Sequence, residues 1–222
     1  TGMFGCSVAG DETTIVENLV ITDSYFEGNK WVGAVFCCTS GDVTVRNVFV
    51  SGSVTVLANG ENAGGIIGAP ATNGTITTIE DCVVAATVQT EAKYSGGIIG
   101  RIHRSKNDVR INNCLVTGKT RYKGGDNSSG FVGVFDGGSL EINNCIYAGG
   151  AEGNYFTSYP FVKNKNDESG SIFDVTINNC YTTHACSDKT VTVDKTYEDE
   201  NVTYFNESRD SLIGLNCSTT VT

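Results

Sequence analysis

Ser95-Gly96-Gly97-Ile98-Ile99-Gly100, followed by Ile111-Asn112-Asn113-Cys114-Leu115-Val116-Thr117-Gly118, is the stretch from which the fold can be read. Its first half recurs as Gly2-Met3-Phe4-Gly5, Gly33-Ala34-Val35-Phe36, Gly65-Ile66-Ile67-Gly68, Gly97-Ile98-Ile99-Gly100, Gly130-Phe131-Val132-Gly133 and Pro160-Phe161-Val162-Lys163. The steps between these copies are 31, 32, 32, 33 and 30 residues. The second half recurs as Ile21-Thr22-Asp23-Ser24, Val45-Arg46-Asn47-Val48, Ile79-Glu80-Asp81-Cys82, Ile111-Asn112-Asn113-Cys114, Ile142-Asn143-Asn144-Cys145 and Ile177-Asn178-Asn179-Cys180. A fixed period of this length marks a solenoid, in which each repeat buries its apolar face against its neighbours.

Within the second half, apolar residues alternate: Val109, Ile111, then Cys114 and Val116; Leu140, Ile142, then Cys145 and Tyr147. Period-2 alternation broken by one step predicts two short strands meeting at a bend. The Asn or Asp before the Cys position is the residue best able, after Gly, to adopt the left-handed conformation such a bend demands. Gly28, Gly52, Gly118 and Gly149 are expected to turn further corners by the same freedom. Three short strands and three corners in about 30 residues predict an all-β fold, a right-handed parallel β-helix of about six turns of 30–33 residues. Stacking in that register sets Arg46 beside Glu80 and Arg110 beside Glu141, opposite charges on adjacent turns. The repeats assign residues 1–185 to the β-helix and leave 186–222 as an irregular C-terminal cap or linker.

The chain has 222 residues, 27 Gly, 9 Cys, 2 Pro and a net charge of −10. Phosphate would repel so acidic a chain, which argues against nucleic acid as a partner. No apolar run approaches the ~20 residues of a membrane helix, so no membrane insertion is expected. The chain starts at Thr1 inside a first motif, so flanking domains of a longer chain are expected around it.

The segments 95–100 and 111–118 resemble the GLUG repeat, a Gly-Gly-apolar-apolar-Gly segment followed by Ile-x-Asn-Cys-Tyr-x-Thr-Gly. The third, fourth and fifth units match it best, and the tandem resemblance covers roughly residues 1 to 185. It implies a right-handed β-helix from a bacterial surface or secreted protein, adhesin-like or part of the stalk of a surface protease. The first two units depart from the pattern with Ser24 and Val48 at the Cys position, and the sixth has Pro160 and Lys163 in place of glycines.

Cys82, Cys114, Cys145 and Cys180 occupy one inward position on four turns and predict a ladder of stacked thiols, with Asn113, Asn144 and Asn179 beside it as structural residues. Cys6 and Cys37 also align, with Cys38 adjacent, so a bridge from Cys6 to either is an open alternative. Cys186 and Cys217 form a candidate bridge that ties down the tail. Nine is odd, so at least one thiol stays outside any internal pairing. The spacing of Cys180, His184 and Cys186 fits no common zinc signature; neither metal nor cofactor is expected.

Trp31, Tyr94, Tyr122 and Tyr159 cluster just ahead of the first motif and are the candidate binding residues, as platforms for stacking sugar rings or for a protein partner. The acids Asp136 and Glu61 read as solvated loop charges, and the basic stretches 101–106 and 119–123 as solvated loops. With only His103 and His184 available, no nucleophile, base and orienter set is recognisable. No catalytic residue is therefore assigned. The expected function is a non-catalytic, extracellular or cell-surface β-helix, adhesin-like or a rigid presenting stalk, with a host or matrix glycan or protein as partner. The alternative is a carbohydrate-binding module or a polysaccharide-degrading enzyme.

Overall fold

The structure, a computed structural model, describes residues 1–7, 10, 12–103, 107–123, 128–149, 159–164, 173–182 and 215–221. It is an all-β parallel solenoid of about four complete turns, and its longest face carries six rungs. Those rungs are Thr14–Ile21, Val43–Val50, Ile76–Glu80 with Val83–Val84, Asp108–Asn112 with Leu115–Val116, Gly138–Asn143 with Ile146–Tyr147, and Phe173–Thr182. A second face stacks Tyr25–Gly28, Thr55–Ala58, Thr87–Thr90 and Lys119–Tyr122; a third stacks Trp31–Gly33, Asn62–Gly64, Tyr94–Gly96 and Ser128–Ser129. The fourth contains Phe36–Thr39, Ile67–Pro70, Val132–Phe135 and Val162–Asn164, with Ile99 and Ile102 bridging its middle. Leu215–Val221 runs antiparallel along Phe173–Thr182 and so pairs the edge of the sixth rung. The rest of the 186–222 segment, including Cys186, and His184 before it lie outside the described residues.

The bend predicted before the Cys position is present on every rung of the long face. Asn18, Asn47, Asp81, Asn113, Asn144 and Asn179 all have φ between 50° and 56°. These side chains also bond one another up the stack: Asn47 Nδ2 donates to Asn18 Oδ1 at 2.6 Å, Asn113 to Asp81 at 3.1 Å and Asn144 to Asn113 at 3.3 Å. An amide suits this position because one end donates and the other accepts; Asp81, a carboxylate, only accepts, and it takes the bond from Asn113.

The first repeat sits five residues earlier than its sequence suggests. Val16 pairs with Val45 and Leu19 with Val48, so Val16-Glu17-Asn18-Leu19 is the first copy, not Ile21-Thr22-Asp23-Ser24. Asp23 shares the left-handed conformation, φ 48°, but turns a different corner, where its N–H donates to Ser53 Oγ at 2.8 Å. Two corners of the same chemistry within one turn made the two segments interchangeable in the sequence.

The charge pairs fall in the expected register, Arg46 opposite Glu80 and Arg110 opposite Glu141. Arg46 also faces Glu17 on the preceding rung and closes its ion pair there at 2.6 Å, whereas Arg110 bonds Asp108 on its own strand.

Close approach, not handedness, explains most glycines. A Cβ on Gly64 would lie 1.9 Å from Ile67 O, and one on Gly96 2.0 Å from Ile99 O, with Gly100 N and Gly133 N next nearest. The Gly-Gly-apolar-apolar-Gly segment is thus a tight arch in which the third and fourth faces touch backbone to backbone. The sequence expectation that Gly118 and Gly149 turn corners through left-handed freedom is corrected: neither has positive φ, and each is needed for close approach, since an added Cβ would lie 2.1 Å from Ala86 O and 2.2 Å from Gly118 O respectively.

Inside, Val, Ile and Phe from all four faces form one continuous core, including Val45, Ile79, Ile111 and Ile142 of the long face and Phe131 and Phe135 of the fourth. Each fully buried aliphatic or aromatic side chain contributes about 1.5–3 kcal/mol, which explains how the stacked strands hold together. The cysteine ladder lies in this core. Cys82, Cys114, Cys145 and Cys180 are buried, and their thiols donate to the carbonyls two residues back, Glu80, Asn112, Asn143 and Asn178, at 3.1–3.2 Å. Outside, the column Val20, Phe49, Val83, Leu115, Ile146 and Tyr181 runs the full length of the long face, one apolar residue per rung. Among the described residues, no helix is long and apolar enough to cross a membrane.

Candidate functional site

The third face carries the candidate site. Trp31, Asn62 and Tyr94 occupy one register position on three successive rungs, and Lys30, Glu61 and Lys93 precede them, so aromatic and charged side chains stack at the same corner. Trp31 Nε1 donates to Glu61 Oε2 at 3.0 Å, and Lys93 Nζ lies 3.3 Å from Glu61 Oε1. Lys30 Nζ stands 4.8 Å from the Trp31 ring centroid. This is cation–π distance.

The fourth face contributes from the side. His103, more than two repeats beyond Trp31 in sequence, meets it edge-on with ring centroids 5.9 Å apart. Arg101 lies over the Tyr94 ring at 5.9 Å and binds Asp136 through its Nε at 2.7 Å and through a second nitrogen to the same oxygen. Asp136 is 1% exposed, so Arg101 and Asp136 form a buried charge pair behind the aromatic surface. The pair fixes where Arg101 stands, and Arg101 in turn backs Tyr94.

These contacts set the ionisation of the patch. Burial lowers the His103 pKa and Arg101 lowers it further, against smaller opposing effects of Asp136 and Glu61, so the imidazole is held towards its neutral form. Burial and the Asp136 charge raise Tyr94. Burial pushes Glu61 up, but the hydrogen bond and charge of Lys93, with Lys30 and Trp31, bring it below the usual carboxylate value. Asn62 lies fully buried between Trp31 and Tyr94 in the column, and neither its side-chain oxygen nor its nitrogen has a hydrogen-bond partner. An unsatisfied buried amide costs about 1–3 kcal/mol, so the aromatic column closes over it at a price in stability.

Of the four aromatic residues singled out in the sequence, the structure brings Trp31 and Tyr94 into one column. Tyr122 ends the fourth rung of the second face, in register with Thr90, and so stands outside the Trp31–Tyr94 column. Tyr159 is bridged to Ser129, which aligns with Gly96, so it belongs to the column of Gly33, Gly64 and Gly96, two positions along the face. Reading Glu61 and Asp136 as solvated loop charges is corrected: one is tied to Trp31 and Lys93, the other is buried against Arg101. Arg101 likewise is not a solvated loop residue, while Arg104 to Lys106 lie outside the described residues. Glu61, Lys93, Arg101, His103 and Asp136 were missed as site residues. The period did hold a signal for two of them, because Lys30, Glu61 and Lys93 alternate in sign at repeat spacing.

A second cluster lies near the N-terminus. Cys6 and Cys38 form a disulfide, and the Cys37 sulfur lies 3.2 Å from that of Cys6. All three sulfurs fall within 4.8 Å of one another. The structure thereby selects Cys38 over Cys37 as the partner of Cys6.

No family model matches the chain, and no curated protein does either. A crystal structure described as "a putative immunoglobulin A1 protease from Bacteroides ovatus" is similar in fold, with a TM-score of 0.50 and 18% identity, over 73% of this chain. The chain spans about half of that protein's length, 54%. At this identity the likeness extends to the solenoid architecture.

Proposed function

We propose that the chain is a non-catalytic, extracellular β-solenoid segment of a microbial surface protein, adhesin-like, that recognises a host or matrix glycan through its third face. The observation that carries this reading is the Trp31–Asn62–Tyr94 column with its flanking Lys30, Lys93 and Arg101. Sugar rings stack on aromatic faces while charged groups bond their hydroxyls, and a solenoid holds such groups at fixed spacing without a moving loop. The GLUG-like motifs support placing the chain among bacterial surface proteins. Against a polysaccharide hydrolase stands the state of the two acids at this site. Glu61 is held by Lys93 and Trp31 and Asp136 by Arg101, whereas glycoside hydrolysis needs two carboxylates facing one bond.

Binding of the labelled chain to an array of host and plant glycans, with mucin and matrix proteins included, tests this. Saturable binding lost in Trp31→Ala and Tyr94→Ala supports recognition at this face. Binding that survives both substitutions, or release of reducing ends from a bound polysaccharide, overturns it. No binding to any surface favours a rigid presenting stalk.

A further inference from the structure

Residues 2–7 lie along Phe36–Thr39 as an extra rung. Met3 N–H donates to Ala34 O at 3.1 Å, Phe4 to Val35 O at 3.0 Å, Cys37 to Gly5 O at 2.8 Å and Ser7 to Cys38 O at 3.1 Å. This places Cys6 directly opposite Cys38, with Cys37 one residue away on the same partner strand. The three sulfurs differ in access: Cys6 is exposed, Cys37 half-buried and Cys38 buried at 6% exposure. One disulfide and one thiol therefore share a site in which the thiol sulfur is in contact with the exposed sulfur of the bridge.

We propose that Cys6, Cys37 and Cys38 form a thiol–disulfide exchange site with two interconvertible bridges. The Cys37 thiol loses its proton, and its thiolate attacks Cys6 Sγ. A Cys37–Cys6 bond forms, the Cys6–Cys38 bond breaks, and the electron pair leaves on Cys38, which takes up a proton from solvent. One disulfide and one thiol exist before and after, so no oxidant or reductant is consumed. Either bridge keeps the first rung tied to the second turn, because Cys37 and Cys38 are neighbours. What changes is the position of the thiol, half-exposed at Cys37 in one isomer and buried at Cys38 in the other. The chemical class the site takes is a thiol from outside: its thiolate attacks Cys6, the accessible sulfur, the Cys6–Cys38 bond breaks with the electron pair leaving on Cys38, and the mixed disulfide on Cys6 is then resolved by the Cys37 thiolate, which releases the outside thiol.

The test is to hold the oxidised chain at pH 8.5, quench in acid, unfold it, label it with N-ethylmaleimide, and locate the label by electron-transfer fragmentation between Cys37 and Cys38. Label divided between the two, with the Cys38 share reached faster when reduced glutathione is present, supports exchange. Label on Cys37 alone, with and without glutathione, overturns it. Cys38→Ser gives a second arm: a Cys6–Cys37 bridge is expected, and a Cys6 and Cys37 that both label under oxidising conditions also overturn the proposal. Native labelling of Cys82, Cys114 and Cys145 monitors folding of that variant, and the wild-type arm decides the question should it unfold.

Discussion

Asn144 Nδ2 donates to Asn113 Oδ1 at 3.3 Å across one turn of the solenoid, and both residues hold a left-handed backbone, φ 53° and 54°. One side chain type thus supplies the bend of its own turn and a bond to the next. This double role makes the Asn position more sensitive than its exposure suggests.

Asn144→Ala is expected to lose both contributions, about 1–2 kcal/mol for the left-handed backbone and a few tenths more for the exposed ladder bonds. Asn144→Gly keeps the conformation and loses only the bonds and some chain entropy, so it falls between wild type and Ala. Urea unfolding of the three proteins checks the order; equal loss for Gly and Ala would mean that the ladder bonds, not the bend, dominate.

Gly96→Ala is expected to prevent correct closure of the arch, since its Cβ would sit 2.0 Å from Ile99 O, where a backbone atom cannot move aside. A loss of at least about 3 kcal/mol follows. Gly52→Ala is the control: its nearest neighbour would be 3.8 Å away and its φ is not positive, so the expected change is within about 0.5 kcal/mol. Thermal unfolding followed by circular dichroism separates the two.

Arg101→Met strands the buried Asp136 carboxylate and should cost about 3–5 kcal/mol. Adding Asp136→Leu removes the stranded charge and is expected to recover most of that loss. A double-mutant cycle in guanidinium chloride measures it, and additive losses would show that the two charges do not depend on each other.

The His103 pKa is depressed in the folded chain by burial and by Arg101. The unfolded chain therefore takes up the proton first as pH falls. The stability contributed by the neutral ring is present above pH ~6.5 and lost as pH drops through the lower folded value. Trp31 is the single tryptophan of the sequence and touches His103, so its fluorescence is expected to titrate below pH ~6.5. His103→Gln should abolish that step. A step of unchanged midpoint in His103→Gln would assign it to Glu61 instead, which bonds the same indole.

The sequence alone determined the solenoid, because stacking in register repeats each chemical requirement once per turn. Asn113 and Asn144 at the bend, Cys114 and Cys145 beneath it, and Arg46 opposite Glu80 are all read from residues about one repeat apart. It misplaced the first repeat because Asn18 and Asp23 satisfy the same backbone demand five residues apart. Only the tertiary structure decided what meets sideways. The arch at Gly64 and Gly96 folds the fourth face back against the third, and this carries His103 to Trp31 and buries Asp136 behind Arg101. It likewise settled that Cys6 bonds Cys38 while Cys37 remains in contact. A repeat period specifies which residues lie above one another along the axis; distances across the arch depend on how closely two backbones pack, which no periodicity encodes.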